Sequence, residues 1–430
     1  MIQNRRDFIR QLALAGSAVS LAATPWIGVF ARASQAGKGP GDRVRLAFIG
    51  TGSRGKELLR NLLPYLQEEN SDVVALCDNF APHLDDTLSI CAASGRKPAV
   101  YADYRRMIEK EKPDGVIIAT PLHEHAHITI DCLQHGIHVF CEKAMARTLD
   151  DTLAMYRTHL ETRRILQIGH QRLFHPVYIE GMQRIHNGDL GVIGQIRAYW
   201  HRNNDWRRPL PDNNPAYERQ INWRLYKEYS AGLLTELMSH QIHVASWALQ
   251  QSPVSVMGTG CIRYWNDGRE VDDNIALIFT YPDKTPFIYD SMISNRKYGL
   301  EEQILGSTGT IEFEVNRCYS EDPPPLPGIQ QLINDIGNGI FSQLSIGSGS
   351  WAPETAVETG GEALVAGKME PDTALQLEAF IRFIRQGSAP EAMMRGAYEA
   401  NIWTLLAETA IEKGEKVTLP DSYRTETTSE

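Results

Sequence analysis

The chain has 430 residues, 42% of them hydrophobic and 22% charged, a length that calls for two domains and a composition that excludes a disordered chain. Its formal net charge of -10 excludes a broad nucleic-acid footprint, which needs a clustered basic face, and disfavours a strongly anionic polymer as substrate. A neutral small molecule suits this balance best, although one local basic pocket still permits a single carboxylate.

The first segment, Asn4-Arg5-Arg6-Asp7-Phe8-Ile9-Arg10, leads into an Ala/Leu-rich apolar run ending near Phe30. Ala31-Arg32-Ala33 then places small residues where a signal peptidase reads. The pattern resembles a twin-arginine export signal, with Asn4 where Ser or Thr is commoner. Residues 1–34 are therefore expected to be a cleaved export signal with a periplasmic destination, and are set aside from the fold. No later stretch approaches the ~18 consecutive apolar residues of a membrane span. Six cysteines show no Cys-x-x-Cys pair, and reduced, packed thiols are expected.

From Arg43 short apolar runs alternate with amphipathic segments. Val44 to Ile49, Val73 to Cys77, Gly115 to Thr120 and Ile137 to Cys141 read as buried strands, and Lys56 to Leu66 and His125 to His135 as helices. This alternation predicts a parallel, doubly wound α/β sheet, a Rossmann domain over residues 43–168. Afterwards Gly194 to His201, Val254 to Tyr264 and Asn274 to Thr280 have the period of half-buried strands, flanked by helices at Pro176–Asn187 and Leu233–Gln250. An open, mainly antiparallel α+β domain is expected over 169–419. Within it, 320–361 reads as an irregular excursion and 372–413 as two helices, and 420–430 is a tail.

Gly50-Thr51-Gly52-Ser53-Arg54-Gly55 follows the first strand and opens the first helix. In a dinucleotide site the first glycine allows the turn, the second lets backbone approach the pyrophosphate, and the third lets helix and strand pack. The helix N-terminus supplies free amides and partial positive charge. Asp78 ends the second strand, where a carboxylate bonds the ribose hydroxyls. A 2′-phosphate there would meet like charge, and Asn79-Phe80-Ala81-Pro82 offers no arginine, so NAD(H) is favoured over NADP(H). Arg54 remains able to reach a phosphate.

Thr120-Pro121 ends a later strand and precedes His123, His125 and His127; Glu142-Lys143 ends the next. Strand carboxyl ends are where the nicotinamide half lies. Further on, a helix over Gly232 to His243 would put Glu236, His240 and His243 on one face. It lacks His-Glu-x-x-His, and no metal is expected.

Together the glycine loop, Thr120-Pro121 with its histidines, Gly136-x-His138-Val139 before Glu142-Lys143-Ala144, and Gly232–His243 resemble the Gfo/Idh/MocA family in order and spacing, from about Arg43 to Leu419. The family's Glu-Lys-Pro maps onto Glu142, Lys143 and Ala144. Its Asp-x-x-x-His-x-x-Asp maps onto Glu236, His240 and His243, so the proline and both acidic ends differ. The resemblance implies that Lys143 lies beside the nicotinamide and the reacting hydroxyl, and that His240 is the acid/base. Glu236 could orient His240, and His243 either binds substrate or caps the helix face. Cofactor contacts are expected from Gly50 to Gly55, Asp78, Thr120, Pro121, His123, His125, Glu142, Lys143 and Gln171.

Gly169-His170-Gln171-Arg172 sits at the expected domain junction, and His201 to Arg208 follows a strand. His170, Arg172, Trp206 and Arg207 are candidate sugar contacts, the arginine cluster being equally open to an interdomain or subunit role. The leading expectation is an exported NAD(H)-dependent oxidoreductase acting on a ring hydroxyl of a sugar or glycoside, such as the 3-hydroxyl of a glucoside. The second is an NAD-dependent glycosidase that oxidises the ring transiently. A third is a non-catalytic dinucleotide-binding protein. The resemblance also implies a homodimer or homotetramer.

Overall fold

A computed structural model describes residues 42–320 and 361–425. The expected export signal, the interior of the 320–361 excursion and the last five residues of the tail lie outside the described residues.

Six parallel strands open the fold: β1 (Val44–Ile49), β2 (Ser71–Cys77), β3 (Ala99–Tyr101), β4 (Gly115–Ile118), β5 (His138–Cys141) and β6 (Leu166–Ile168). Their order is β3-β2-β1-β4-β5-β6, which reverses direction beside β1 and opens a crevice at the strand carboxyl ends. Because both faces are covered, β1 reads as a nearly continuous apolar run, VRLAFI, with only Arg45 part-exposed. The interleaved helices are α1 (Ser53–Leu62), α2 (Ala81–Ala93), α3 (Tyr104–Glu111), α4 (His125–Gln134) and α5 (Leu149–Thr162). Asp103 caps α3 by accepting from Arg105 N, and Thr148 caps α5 by accepting from Asp151 N.

The second sheet has nine strands: β7 (Ile193–His201), β8 (Ser255–Cys261), β9 (Asn274–Thr280), β10 (Pro286–Met292), β11 (Leu300–Gly306), β12 (Gly309–Glu312), β13 (Arg317–Ser320), β14 (Glu362–Ala363) and β15 (Val417–Thr418). Their order is β14-β13-β12-β11-β7-β10-β9-β8-β15. All neighbours run antiparallel except β7 and β10. Buried Phe287, Tyr289 and Ser291 alternate along β10 with part-exposed neighbours, as a sheet packed on one face requires. On its inner side lie α6 (Pro176–His186), α7 (Ser239–Leu249) and α9 (Glu391–Lys413).

One helix departs from the expected division. α8 (Asp372–Gln386), assigned from sequence to the second domain, buries Leu377, Phe380, Ile381 and Ile384 against Val44, Leu46, Phe48 and Leu58. It thereby covers a face of the first sheet. Gly115 makes room for it, since a Cβ there would stand 2.6 Å from Ile384 Cδ1. A parallel sheet must be covered on both faces, and the chain returns more than 200 residues later to do it. All six cysteines are free thiols, four of them buried.

Candidate active site

The glycine loop has the geometry its three roles demand. Gly50 sits at φ +86°, and a Cβ there would stand 2.7 Å from the Ala119 and Thr120 backbone. A Cβ on Gly55 would stand 2.1 Å from Gly50 O, so helix and strand are in direct backbone contact. At Gly52 a Cβ would meet only the His83 ring, at 3.4 Å. That opening, at the N-terminus of α1 with no acidic side chain in its first turn, fits a dinucleotide pyrophosphate.

Asp78 follows β2. Its Oδ2 accepts from Thr51 N at 2.7 Å and Thr51 Oγ1 at 3.1 Å, and its Oδ1 from Phe80 N at 2.9 Å. Burial alone would raise its pKa, but His83 and the Thr51 and Phe80 amides hold the carboxyl below the usual range. It is a fixed, ionised acceptor, as the ribose hydroxyls of NAD require.

Where the first sheet faces the second domain there is a cavity of ≈ 550 Å³. Arg54, Thr120, His125, Glu142, Lys143 and Gln171 line it from one side, and Trp206, Arg207, Glu236 and His240 from the other. Lys143 follows β5, and its Nζ donates to Glu236 O at 2.6 Å and Thr235 O at 3.2 Å. Burial lowers its pKa, opposed by the charges of Glu236 and Glu142. The Lys143–Ala144 peptide is cis. Asn401 on α9 pins the following backbone: its Oδ1 accepts from Met145 N at 3.0 Å and its Nδ2 donates to Ala146 O at 3.1 Å.

The expected helix over 232–243 is not uniform. Leu234–Met238 is a π-helical turn, and α7 begins only at Ser239. The wider turn changes the 3.6-residue register, and Glu236 and His240 both line the cavity. Glu236 accepts from Arg224 Nε at 2.7 Å. Burial pushes its carboxyl up, but Arg224 and Lys143 outweigh this and hold it below the usual range. Glu236 therefore pairs with arginine and does not orient His240. His240 Nδ1 is buried with no hydrogen-bond partner. Burial, and then Arg172 and Lys143, push His240 well below 6.5, so the ring is held in its unprotonated, acceptor form at pH 7.

Other expected site residues have partners within the protein. His170 and His243 are 3% and 2% exposed and do not line the cavity. They pack edge to face, 4.5 Å apart, and His170 lies edge to face 5.8 Å from His240. Arg172 is buried in an ion-pair network, 3.1 Å from Glu302 and 3.2 Å from Glu314, and its Nε donates to Tyr178 OH at 2.9 Å. It makes a structural pair and does not face the cavity. His125 is a bracket between Ala144 O (2.9 Å) and Thr120 O (3.0 Å). His123 lies 3.2 Å from Glu124 and 4.5 Å from the Tyr229 ring. Arg207 lines the cavity but is committed to Glu218 and Asp267. Ser53 is met across the domains by Arg208, whose Nη1 donates to Ser53 Oγ at 3.0 Å.

Sequence reasoning missed Arg202, Arg208, Trp223, Arg224 and Asn401. The run His201–Arg208 was a signal for the first two. Nothing local marks Arg224 or Asn401, whose partners lie 12 and 256 positions away. Among the described residues no His, Cys, Asp and Glu cluster has metal-holding geometry, and no helix is long and apolar enough to cross a membrane.

Residues 44–170 match the family described as "Oxidoreductase family, NAD-binding Rossmann fold", and residues 180–312 match the GFO/IDH/MocA C-terminal domain. A "Glycosyl hydrolase family 109 protein" of Stenotrophomonas maltophilia is 30% identical over 51% of this chain, a match that spans only 47% of that protein's length. An "Inositol 2-dehydrogenase" of Rubrobacter xylanophilus is 23% identical over 68% of this chain and 74% of its own. Among solved structures, a levoglucosan dehydrogenase in complex with NADH and levoglucosan superposes with a TM-score of 0.67 at 17% identity, covering 88% of this chain and 100% of that one. That likeness is one of fold. With both halves matched in order, the chain belongs to the Gfo/Idh/MocA family of oxidoreductases.

Proposed function

We propose that the chain is an NAD(H)-dependent oxidoreductase acting on a ring hydroxyl of a sugar or glycoside, with the 3-hydroxyl of a glucoside as the first candidate. The observation that carries this reading is Lys143 and the neutral His240, whose buried Nδ1 has no partner, lining one cavity at the carboxyl ends of the parallel strands. Bound at the Gly50–Gly55 loop and Asp78, the nicotinamide cofactor would supply the hydride acceptor. Oxidation of a secondary alcohol also requires removal of the hydroxyl proton. His240, kept neutral by burial, accepts it. The Lys143 ammonium, held by two carbonyls, stabilises the developing alkoxide. Trp206 offers a flat apolar face to the sugar. The fixed Asp78 carboxylate, repelling a 2′-phosphate, makes NAD(H) preferred over NADP(H).

A second reading, transient oxidation within an NAD-dependent glycosidase, is favoured by the similarity to the Stenotrophomonas maltophilia protein. It uses the same Lys143 and His240 for the first step and ends without net NADH. The non-catalytic reading is disfavoured by the presence of both side chains in one cavity. The Arg5-Arg6 segment leads us to place the work outside the cytoplasm, after export as a folded protein.

The test incubates purified protein and NAD with a panel of glycosides and free hexoses, following reduced nicotinamide and sugar products together. Keto sugar matched by NADH supports the dehydrogenase, and released aglycone without NADH moves the assignment to the glycosidase. Keto sugar formed without either cofactor change or aglycone would contradict both.

A further inference from the structure

The cavity is richer in cations than an acidic protein with a neutral substrate requires, and their partners can be traced one by one. Arg54 pairs with Glu142 at 2.9 Å and Arg224 with Glu236 at 2.7 Å. Arg207 pairs with Glu218 and Asp267. Lys143 is held by carbonyls, and Arg208 donates to Ser53 Oγ beside the glycine loop, where the cofactor's phosphates would claim it. Arg202 is different. Among the described residues its guanidinium makes no hydrogen bond or ion pair, while its backbone N donates to Met292 O. It lies over the Trp200 ring, 4.8 Å from the centroid, and lines the cavity. The same indole is 5.9 Å from the His240 ring, so Arg202 and the proposed acid/base share one wall. Asp205, the lining carboxylate that faces no cation, is turned to the Arg207 amide at 3.0 Å.

A half-buried arginine stacked on an indole, with its donors unused, is a fork prepared for a planar, two-oxygen acceptor. The only carboxylate charge felt by Arg202 is that of Glu236, which is already paired with Arg224, so a neutral hydroxyl would leave the guanidinium without an ion partner of its own. One unpartnered cation matches a single negative charge, not the doubly charged phosphomonoester. We propose that Arg202 is a specificity-determining residue that binds a carboxylate of the substrate, which places the substrate among sugar acids and their glycosides (uronates). The proposal rests on the reading of the cavity as a sugar-oxidising site, and it reverses the neutral substrate that net charge alone favoured.

The test uses the full-length protein loaded with NAD, titrated with methyl glucuronide, methyl galacturonide, the matching neutral methyl glycosides and glucose 6-phosphate, with tryptophan fluorescence and calorimetry reading binding and sugar products reading turnover. At least one uronate is expected to bind roughly tenfold or more tighter than its neutral counterpart, a preference weakened by salt. Arg202→Gln should bring the ratio near one while NAD binding is unchanged, and Arg202→Lys should keep part of it. Equal affinities, a preference untouched by Arg202→Gln, or tighter binding of the phosphate ester would overturn the proposal. Uronate binding with no turnover of any sugar leaves the carboxylate site standing and sinks the oxidoreductase reading. Turnover of neutral glycosides without uronate preference does the reverse, and binding of no sugar removes both.

Discussion

At the scale of single residues, the chemistry divides between a proton acceptor and a charge stabiliser. Removing the His240 imidazole should cost about 10²–10⁴-fold in kcat while NAD still binds, since general acid–base catalysis contributes that range. Lys143→Ala should lose activity comparably, and it should also loosen the Leu234–Met238 turn whose carbonyls Lys143 holds. Because burial and nearby cations push His240 well below 6.5, its basic form is present down to that pH. The acid limb of kcat/KM should therefore lie below 6.5, rate being lost as pH falls through the folded-state value. Glu236→Gln separates the two roles considered for that carboxylate. If it serves Arg224, as the 2.7 Å bond indicates, the substitution lowers activity without moving the acid limb; an orienter of His240 would move it. Lys143, His240 and the glycines were legible because motif spacing carries them. Arg224 and Asn401 were not, because a side chain that acts through a distant backbone or carboxylate leaves no local pattern.

At the scale of elements, the glycine loop makes a discriminating pair. Gly55→Ala drives a Cβ to 2.1 Å from Gly50 O and should destabilise the fold by about 1–3 kcal/mol, as overpacking does, read as a lower denaturation midpoint. Gly52→Ala meets only the His83 ring at 3.4 Å. It should leave the midpoint nearly unchanged and weaken NAD binding in calorimetry, because its Cβ enters the space left for the pyrophosphate. Several strands of both sheets were readable from period-2 or continuous apolar runs, and Val44–Ile49 and Asn274–Thr280 match the structure end to end, whereas β3, β6 and β10 to β15 were not read from the sequence. The π turn at Leu234–Met238 was not readable, since a one-residue change of helical period leaves the apolar spacing ambiguous. α8 was legible as a helix but not as part of the first sheet's cover, because its partners are set by the return path of the chain.

At the scale of the whole molecule, three buried histidines tie stability to pH. His243 is pushed down to about 4 by burial, and His170 and His240 also lie well below 6.5. The unfolded chain then binds more protons than the folded one between about 4 and 6.5. The contribution of these histidines is full above 6.5 and is lost as pH falls through that window, with His243 alone worth on the order of 3 kcal/mol; Glu301 and Glu302, pushed up to about 7 by burial, act in the opposite sense and give up their contribution as pH rises through 7. Denaturation midpoints at pH 7 and pH 4.5 should show the loss, and His243→Leu should reduce it. The outer face of the second sheet carries Met257 and Ile278, 51% and 43% exposed, directly paired across β8 and β9, with Ile288 next in register. Burying that stripe against a second copy is the simplest way to cover it, and sedimentation should find a dimer or tetramer.

The most direct test of the central claim, hydride transfer from a ring carbon within the Lys143–His240 cavity, follows an isotope. Glycosides and uronates deuterated at each ring hydroxyl carbon in turn are incubated with NAD-loaded protein, and the cofactor is recovered from the denatured enzyme. The account predicts deuterium on the nicotinamide from one ring position only, most simply the third, with transfer abolished in His240→Ala and Lys143→Ala. Products formed with no deuterium on the nicotinamide from any position, or transfer undiminished in both variants, would contradict it.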